Sequence, residues 1–133
     1  MEKNNIKIKI TTVSSNNPVN VIKGSGVLRE GNGKSLLTHT DNENTKTSVI
    51  ITDDKVLLCR SSNLYSLKIP VKQGETLLGI MGEESTFTVI GKTAEYTRDN
   101  KGGNIEIEYT LPDLSDEALN FKVTIDFKFE KGK

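Results

Sequence analysis

The chain is poor in the residues that enzymes and disulfide scaffolds depend on. It has one cysteine (Cys59), one histidine (His39) and no tryptophan in 133 residues. A single thiol excludes an intramolecular disulfide framework. One histidine leaves no His and Cys set at metal-ligand spacing. Apolar stretches such as Leu77–Met81 fall far short of the roughly 20 residues a membrane helix needs. The first residues place Lys7 and Lys9 between isoleucines, so no signal-peptide apolar core is expected. No Asn-x-Ser/Thr acceptor occurs. Charge of one sign is also lacking, with 18 basic and 18 acidic residues and no like-charge block. That balance argues against a nucleic-acid partner, which needs a basic stripe to displace counterions. It argues equally against a polybasic membrane surface. A cytoplasmic protein with no metal and no cofactor is expected.

What is present is alternation. Hydrophobic residues make up 34% of the chain, a lean share that suits strands with one buried face. Ile6, Ile8 and Ile10 share one face opposite Lys7 and Lys9. Ile105, Ile107, Tyr109 and Leu111 alternate with Glu106, Glu108 and Thr110. Phe121, Val123, Ile125, Phe127 and Phe129 alternate with polar residues to the end of the chain. This period of two is the strand signature. Further strands are expected at Val19–Leu28, Lys34–Thr40, Thr45–Thr52, Lys55–Ser61, Asn63–Ile69, Thr76–Met81 and Ser85–Thr97. Turn residues separate them at Gly31-Asn32-Gly33, Asp53-Asp54, Gln73-Gly74 and Asp99–Gly103. Gly24 and Gly26 interrupt the second strand and suggest a bulge or bend.

About eight to ten short strands at this spacing indicate one all-β domain over 1–133, a single antiparallel up-and-down barrel. Two hairpins can be registered. A turn at Asp53-Asp54 sets Ile51 against Val56, Val49 against Leu58 and Thr47 against Arg60. A second hairpin sets Leu111 against Phe121, Tyr109 against Val123, Ile107 against Ile125 and Ile105 against Phe127. It leaves a loop, Pro112–Asn120, where Ser115-Asp116-Glu117 could start one helical turn. Val49-Ile50-Ile51 and Val56-Leu57-Leu58-Cys59 are apolar on both faces. That hairpin calls for cover, from a neighbouring segment or from a second subunit.

Three stretches set the resemblance of this chain. They are Thr47-x-Val49-x-Ile51-x-Asp53-x-x-Val56-x-Leu58-x-Arg60, then Gly103-x-Ile105-x-Ile107-x-Tyr109-x-Leu111, then Asn120-Phe121-Lys122-Val123-Thr124-Ile125. In this order they resemble the YwiB-like family of small bacterial calycin-type β-barrels, which has no assigned activity. The resemblance implies a closed barrel, cytoplasmic and bacterial, akin to lipocalin-like barrels that hold small apolar ligands. It supplies no catalytic residue. The chain departs from that pattern at Ser62, where relatives often have glycine. It also lacks their tyrosine near Ile80 or Met81 and has Glu83-Glu84-Ser85 in place of a Pro/Gly turn.

Motifs that suggest chemistry fail on spacing. Gly31-Asn32-Gly33-Lys34-Ser35 ends like a phosphate loop, but Leu28 stands where the first glycine belongs and a strand follows. Asp99-Asn100-Lys101-Gly102-Gly103 begins like a calcium loop and lacks its closing glutamate. His39 reads as a surface strand residue without positioned partners, and Cys59 as an inert packing thiol. An enzyme is not expected.

Arg60 is the charge that stands out, because its register places it on the face of Val56 and Leu58. A guanidinium inside a barrel needs an acceptor. A ligand carboxylate would serve, as would a neighbouring acid or water. Arg60, Tyr109 and Tyr65 are the candidate ligand-binding residues. Two functions follow. The barrel holds a small apolar or amphipathic ligand, or it is filled and acts through an outer surface, as a homo-oligomer or with another protein.

Overall fold

The structure, a computed structural model, describes residues 2–15, 17–112 and 118–130. Ten strands form: β1 (Glu2–Ser14), β2 (Asn17–Gly31), β3 (Lys34–Thr40), β4 (Lys46–Ile51), β5 (Val56–Ser61), β6 (Ser66–Val71), β7 (Thr76–Met81), β8 (Ser85–Arg98), β9 (Gly102–Leu111) and β10 (Leu119–Phe129). Each pairs antiparallel with its neighbours in sequence, and β1 also pairs with β10, which closes the barrel. The up-and-down barrel expected from alternation is therefore the fold. The alternation is also the reason for it: inward residues such as Ile6, Leu28, Leu37, Val49, Val89, Ile107 and Ile125 are fully buried. Among the described residues no helix is long and apolar enough to cross a membrane.

The β4–β5 register is the expected one, with Ile51, Val49 and Thr47 opposite Val56, Leu58 and Arg60. The β9–β10 register differs from expectation by two residues. Tyr109 faces Phe121, Ile107 faces Val123 and Ile105 faces Ile125. A slip of two leaves every side chain on its expected face. Two directly opposed polar pairs select the observed register: Asn104 Nδ2 donates to Asp126 Oδ1 at 2.6 Å, and Thr110 Oγ1 donates to Asn120 Oδ1 at 2.7 Å. Bulk selects it too. Phe127 now faces Gly103, where a Cβ would come within 2.6 Å of the ring, instead of Ile105. The helical turn expected at Ser115-Asp116-Glu117 lies outside the described residues.

The register shift in β1–β2 falls between Thr12 and Ser14, not at the glycines. Gly24 and Gly26 serve close approach instead. A Cβ on Gly24 would lie 2.6 Å from His39 Cε1, and one on Gly26 would overlap the Thr38 carbonyl oxygen.

One seam is thin. The β6–β7 ladder has only the pairs Leu67–Met81 and Lys68–Ile80. Ser66 accepts from the Gly82 amide, so Ser66, Lys68 and Pro70 turn their backbone groups toward β7. Pro70 has no N–H to give, and the ladder stops before it.

The barrel's two ends differ. At the end formed by the β2–β3, β4–β5, β6–β7 and β8–β9 turns, an ion pair crosses the interior. Arg98 of β8 donates through Nε to Glu30 of β2 at 2.9 Å and through Nη2 to the second carboxylate oxygen. The Arg98 guanidinium also lies 4.8 Å above the Phe129 ring, and Tyr96 stacks on Phe127 at 6.4 Å. These groups tie opposite walls of that end together.

A candidate ligand cavity with one unpartnered cation

At the other end the core does not fill the barrel. A cavity of about 210 Å³ is lined by apolar side chains that include Ile10, Ile22, Leu58 and Ile69, and by four polar ones: Thr12, Thr47, Arg60 and Tyr109. Strand alternation explains their presence. Thr47 lies opposite Arg60, and Arg60 opposite Leu67, so all three point inward on one hoop of the barrel. Thr47 is buried.

Arg60 is only partly covered as a residue, yet its Nε is buried with no hydrogen-bond partner. Among the described residues the ion pairs are Lys7–Glu130, Lys72 with Asp54 and Glu75, and Arg98–Glu30; none involves Arg60. The neighbouring acid that could have satisfied it is not found there. Asp41, at this end of the barrel, spends its Oδ1 on the amides of Glu43 at 2.9 Å and Thr45 at 3.0 Å. Those two bonds hold its carboxyl below the usual range, and the charges of Arg60 and His39 act in the same direction.

Tyr109 is buried beside this cation. Its ring stacks on Phe121 at 5.3 Å. Desolvation pushes its hydroxyl up to about 12, against the smaller opposing pull of Arg60. Tyr109 therefore stays a neutral donor near Arg60 across the physiological range. Tyr65 is not brought to the cavity. It lies in the turn between β5 and β6 and is exposed.

The structure corrects the expectation of a surface histidine. His39 is 5% exposed and points inward, opposite Thr47. Its Nδ1 lies 2.8 Å from the Ser25 carbonyl oxygen, which can only accept, so the proton sits on Nδ1. Its Nε2 is buried without a hydrogen-bond partner. His39 does not line the cavity. Leu36-Leu37 is apolar on both faces, so alternation does not mark which side of β3 points inward.

Cys59 faces outward and is half-buried, with burial pushing its thiol up. The doubly apolar hairpin places Leu36, Ile50, Leu57 and Pro70 in one row across the outside of four strands, each half-buried. Gly31–Ser35 is a hairpin turn leading into β3, with Asn32 and Gly33 at positive φ. Asp99 closes the β8–β9 turn by accepting from the amides of Lys101 and Gly102. Among the described residues no three His, Cys, Asp or Glu side chains gather to hold a metal ion. A larger depression of about 620 Å³ lies at the opposite end, where Glu30 is already engaged by Arg98 and Tyr96.

No family model and no curated protein matches the chain. A solved structure does. The fold is similar to that of the ywiB protein from Bacillus subtilis. The TM-score is 0.77 over 97% of this chain and 94% of that one, at 16% sequence identity. At that identity the likeness speaks for a YwiB-like fold.

Proposed function

We propose that the barrel binds a small amphipathic carboxylate, head toward Arg60 and tail among the aliphatic side chains of the cavity. One observation carries this: a guanidinium nitrogen is buried without a partner beside a mostly apolar cavity. A buried unpaired donor costs roughly 1–3 kcal/mol. A carboxylate removes that cost through charge-assisted, bidentate bonds. The Tyr109 hydroxyl and the Thr47 hydroxyl supply further hydrogen bonds.

Size limits the ligand. An apolar cavity of roughly 150 Å³ accepts a benzene ring. About 210 Å³ therefore suits a guest of roughly eight to ten non-hydrogen atoms, such as a straight-chain carboxylate of six to eight carbons. Kinship with calycin barrels and a cytoplasmic site of action belong to the same proposal.

Replacing Arg60 by Met tests it with two readouts. Affinity for octanoate, followed by calorimetry, is expected to fall roughly ten- to a hundredfold, the worth of a hydrogen-bonded charge. Thermal stability of the ligand-free protein is expected to rise, by on the order of 1 kcal/mol, because an unsatisfied donor is gone. Octanoate binding that is unaltered in this variant removes Arg60 from the site.

A further inference from the structure

The outer face of β2, β1 and β10 carries a basic stripe that no run of residues along the chain reveals. Lys3 lies directly opposite Arg29, Lys9 opposite Lys23, and Lys7 opposite Lys128. All but the half-buried Arg29 are exposed. Like charges directly opposed on neighbouring strands are destabilising, and here three such pairs sit on three adjacent strands. Two acids share the face. Glu130 lies 3.4 Å from Lys7, and Asp126, opposite Lys9, is engaged by Asn104.

Each cation occupies an outward position of its strand, so the pleat brings them all to one side. Sequence balance, which argued against a polyanionic partner, averages this stripe with acids elsewhere on the barrel, such as the opposed Glu95 and Glu106 of β8 and β9.

We propose that this face binds the phosphate backbone of a single-stranded nucleic acid. Lys7, Lys9, Lys23 and Lys128 border a depression of about 690 Å³, which Ser25 and Asp126 also line. A concave track admits a strand of phosphates and not a flat bilayer. Lys7 and Lys9 are two residues apart on β1, about 7 Å, close to the step between phosphates in an extended strand. From Lys3 to Lys9 the track runs about 20 Å. The outward positions of β1 and β10 hold no aromatic side chain: Lys7, Lys9, Thr11, Lys122, Thr124, Asp126 and Lys128 flank the track. Bases have nothing to stack on, so recognition is of backbone charge and independent of sequence. This site is separate from the cavity and stands or falls without it.

The test is fluorescence anisotropy of a labelled twelve-nucleotide RNA with the full chain, over a salt series, in wild type and in the double variant Lys23→Glu, Lys128→Glu. Wild type is expected to bind at low salt, with log affinity falling against log salt at a slope of roughly −3 for four phosphates. The double variant is expected to bind at least tenfold more weakly, with a slope about half as steep. It is also expected to melt at a higher temperature, because both changes turn a like-charge pair into an opposite one. That gain shows the loss of binding is not a loss of fold. Absence of RNA binding at low salt overturns the proposal, as does equal affinity in the double variant. Binding to phosphatidylserine vesicles without binding to RNA overturns it also.

Discussion

Tyr109 and Arg60 line one cavity, where burial outweighs the pull of the Arg60 charge on the Tyr109 hydroxyl. Burial holds the Tyr109 hydroxyl at about 12, against an ordinary value of 10.0. A raised folded-state value means that the folded protein keeps a proton the unfolded chain has lost. Stability from this group is full below about pH 10 and drains as pH rises toward 12. At 1.36 kcal/mol per unit the loss is on the order of 2–3 kcal/mol. Urea melts between pH 9 and 12 are expected to show that decline, and substitution of Tyr109 by Phe is expected to flatten it. A wild-type profile as flat as the variant's would contradict the buried position. The inward facing of Tyr109 is legible in its alternation with Ile107 and Leu111, and that of Arg60 in the register of the Asp53-Asp54 hairpin, which sets it on the face of Val56 and Leu58. Arg60's lack of a partner is not, since it depends on which acids the turns bring near. Asp41 is adjacent in space but committed to its own turn. Tyr65 stands apart from the cavity for a related reason: Asn63–Ile69 alternates weakly, and the strand begins only at Ser66.

At the scale of elements, glycine rather than alternation sets how strands meet. Gly26 faces His39 across the β2–β3 pair, and a methyl group there would overlap the Thr38 carbonyl oxygen, which is held in the ladder. Backbone cannot step aside as a flexible side chain can. Gly26→Ala is therefore expected to destabilise by roughly 1–3 kcal/mol, the usual cost of overpacking, measured by urea denaturation. Gly24→Ala meets only the His39 ring edge and is expected to cost less. Equal stabilities for both variants and wild type would show that β2 and β3 are not this close. The strands and their turns could be read from period and punctuation. The β9–β10 register could not be, because hydrophobic pairing scores two registers alike when they differ by two residues. Polar pairs such as Thr110–Asn120 break the tie. The thin β6–β7 seam was marked in the sequence by Pro70, whose consequence depends on which neighbour its missing N–H faces.

For the whole molecule, the two ends of the barrel differ in their polar groups. Glu30, Arg98, Tyr96 and Phe129 bridge one end with paired charges and stacked rings. The other end keeps a cavity, a cation and the neutral Tyr109 hydroxyl. A barrel of this size is near the boundary between filled and hollow, so composition and strand count leave the choice open. The inward polar residues decide it, and they become visible only when Thr47, Arg60 and Tyr109 are placed on one wall. Charge follows the same rule. A net charge of zero conceals a basic face on β1, β2 and β10, because alternation sends every lysine of those strands to the same side.

The presence of a guest in the cavity is tested most directly by native mass spectrometry of the freshly purified chain, alone and after incubation with millimolar octanoate. Wild type is expected to carry one adduct of roughly 100–200 Da, the mass of eight to ten non-hydrogen atoms, bound at purification or acquired from octanoate. The adduct is expected to vanish on denaturation and to be absent from the Arg60→Met variant. A wild-type chain that stays bare in both samples would contradict a ligand-binding barrel.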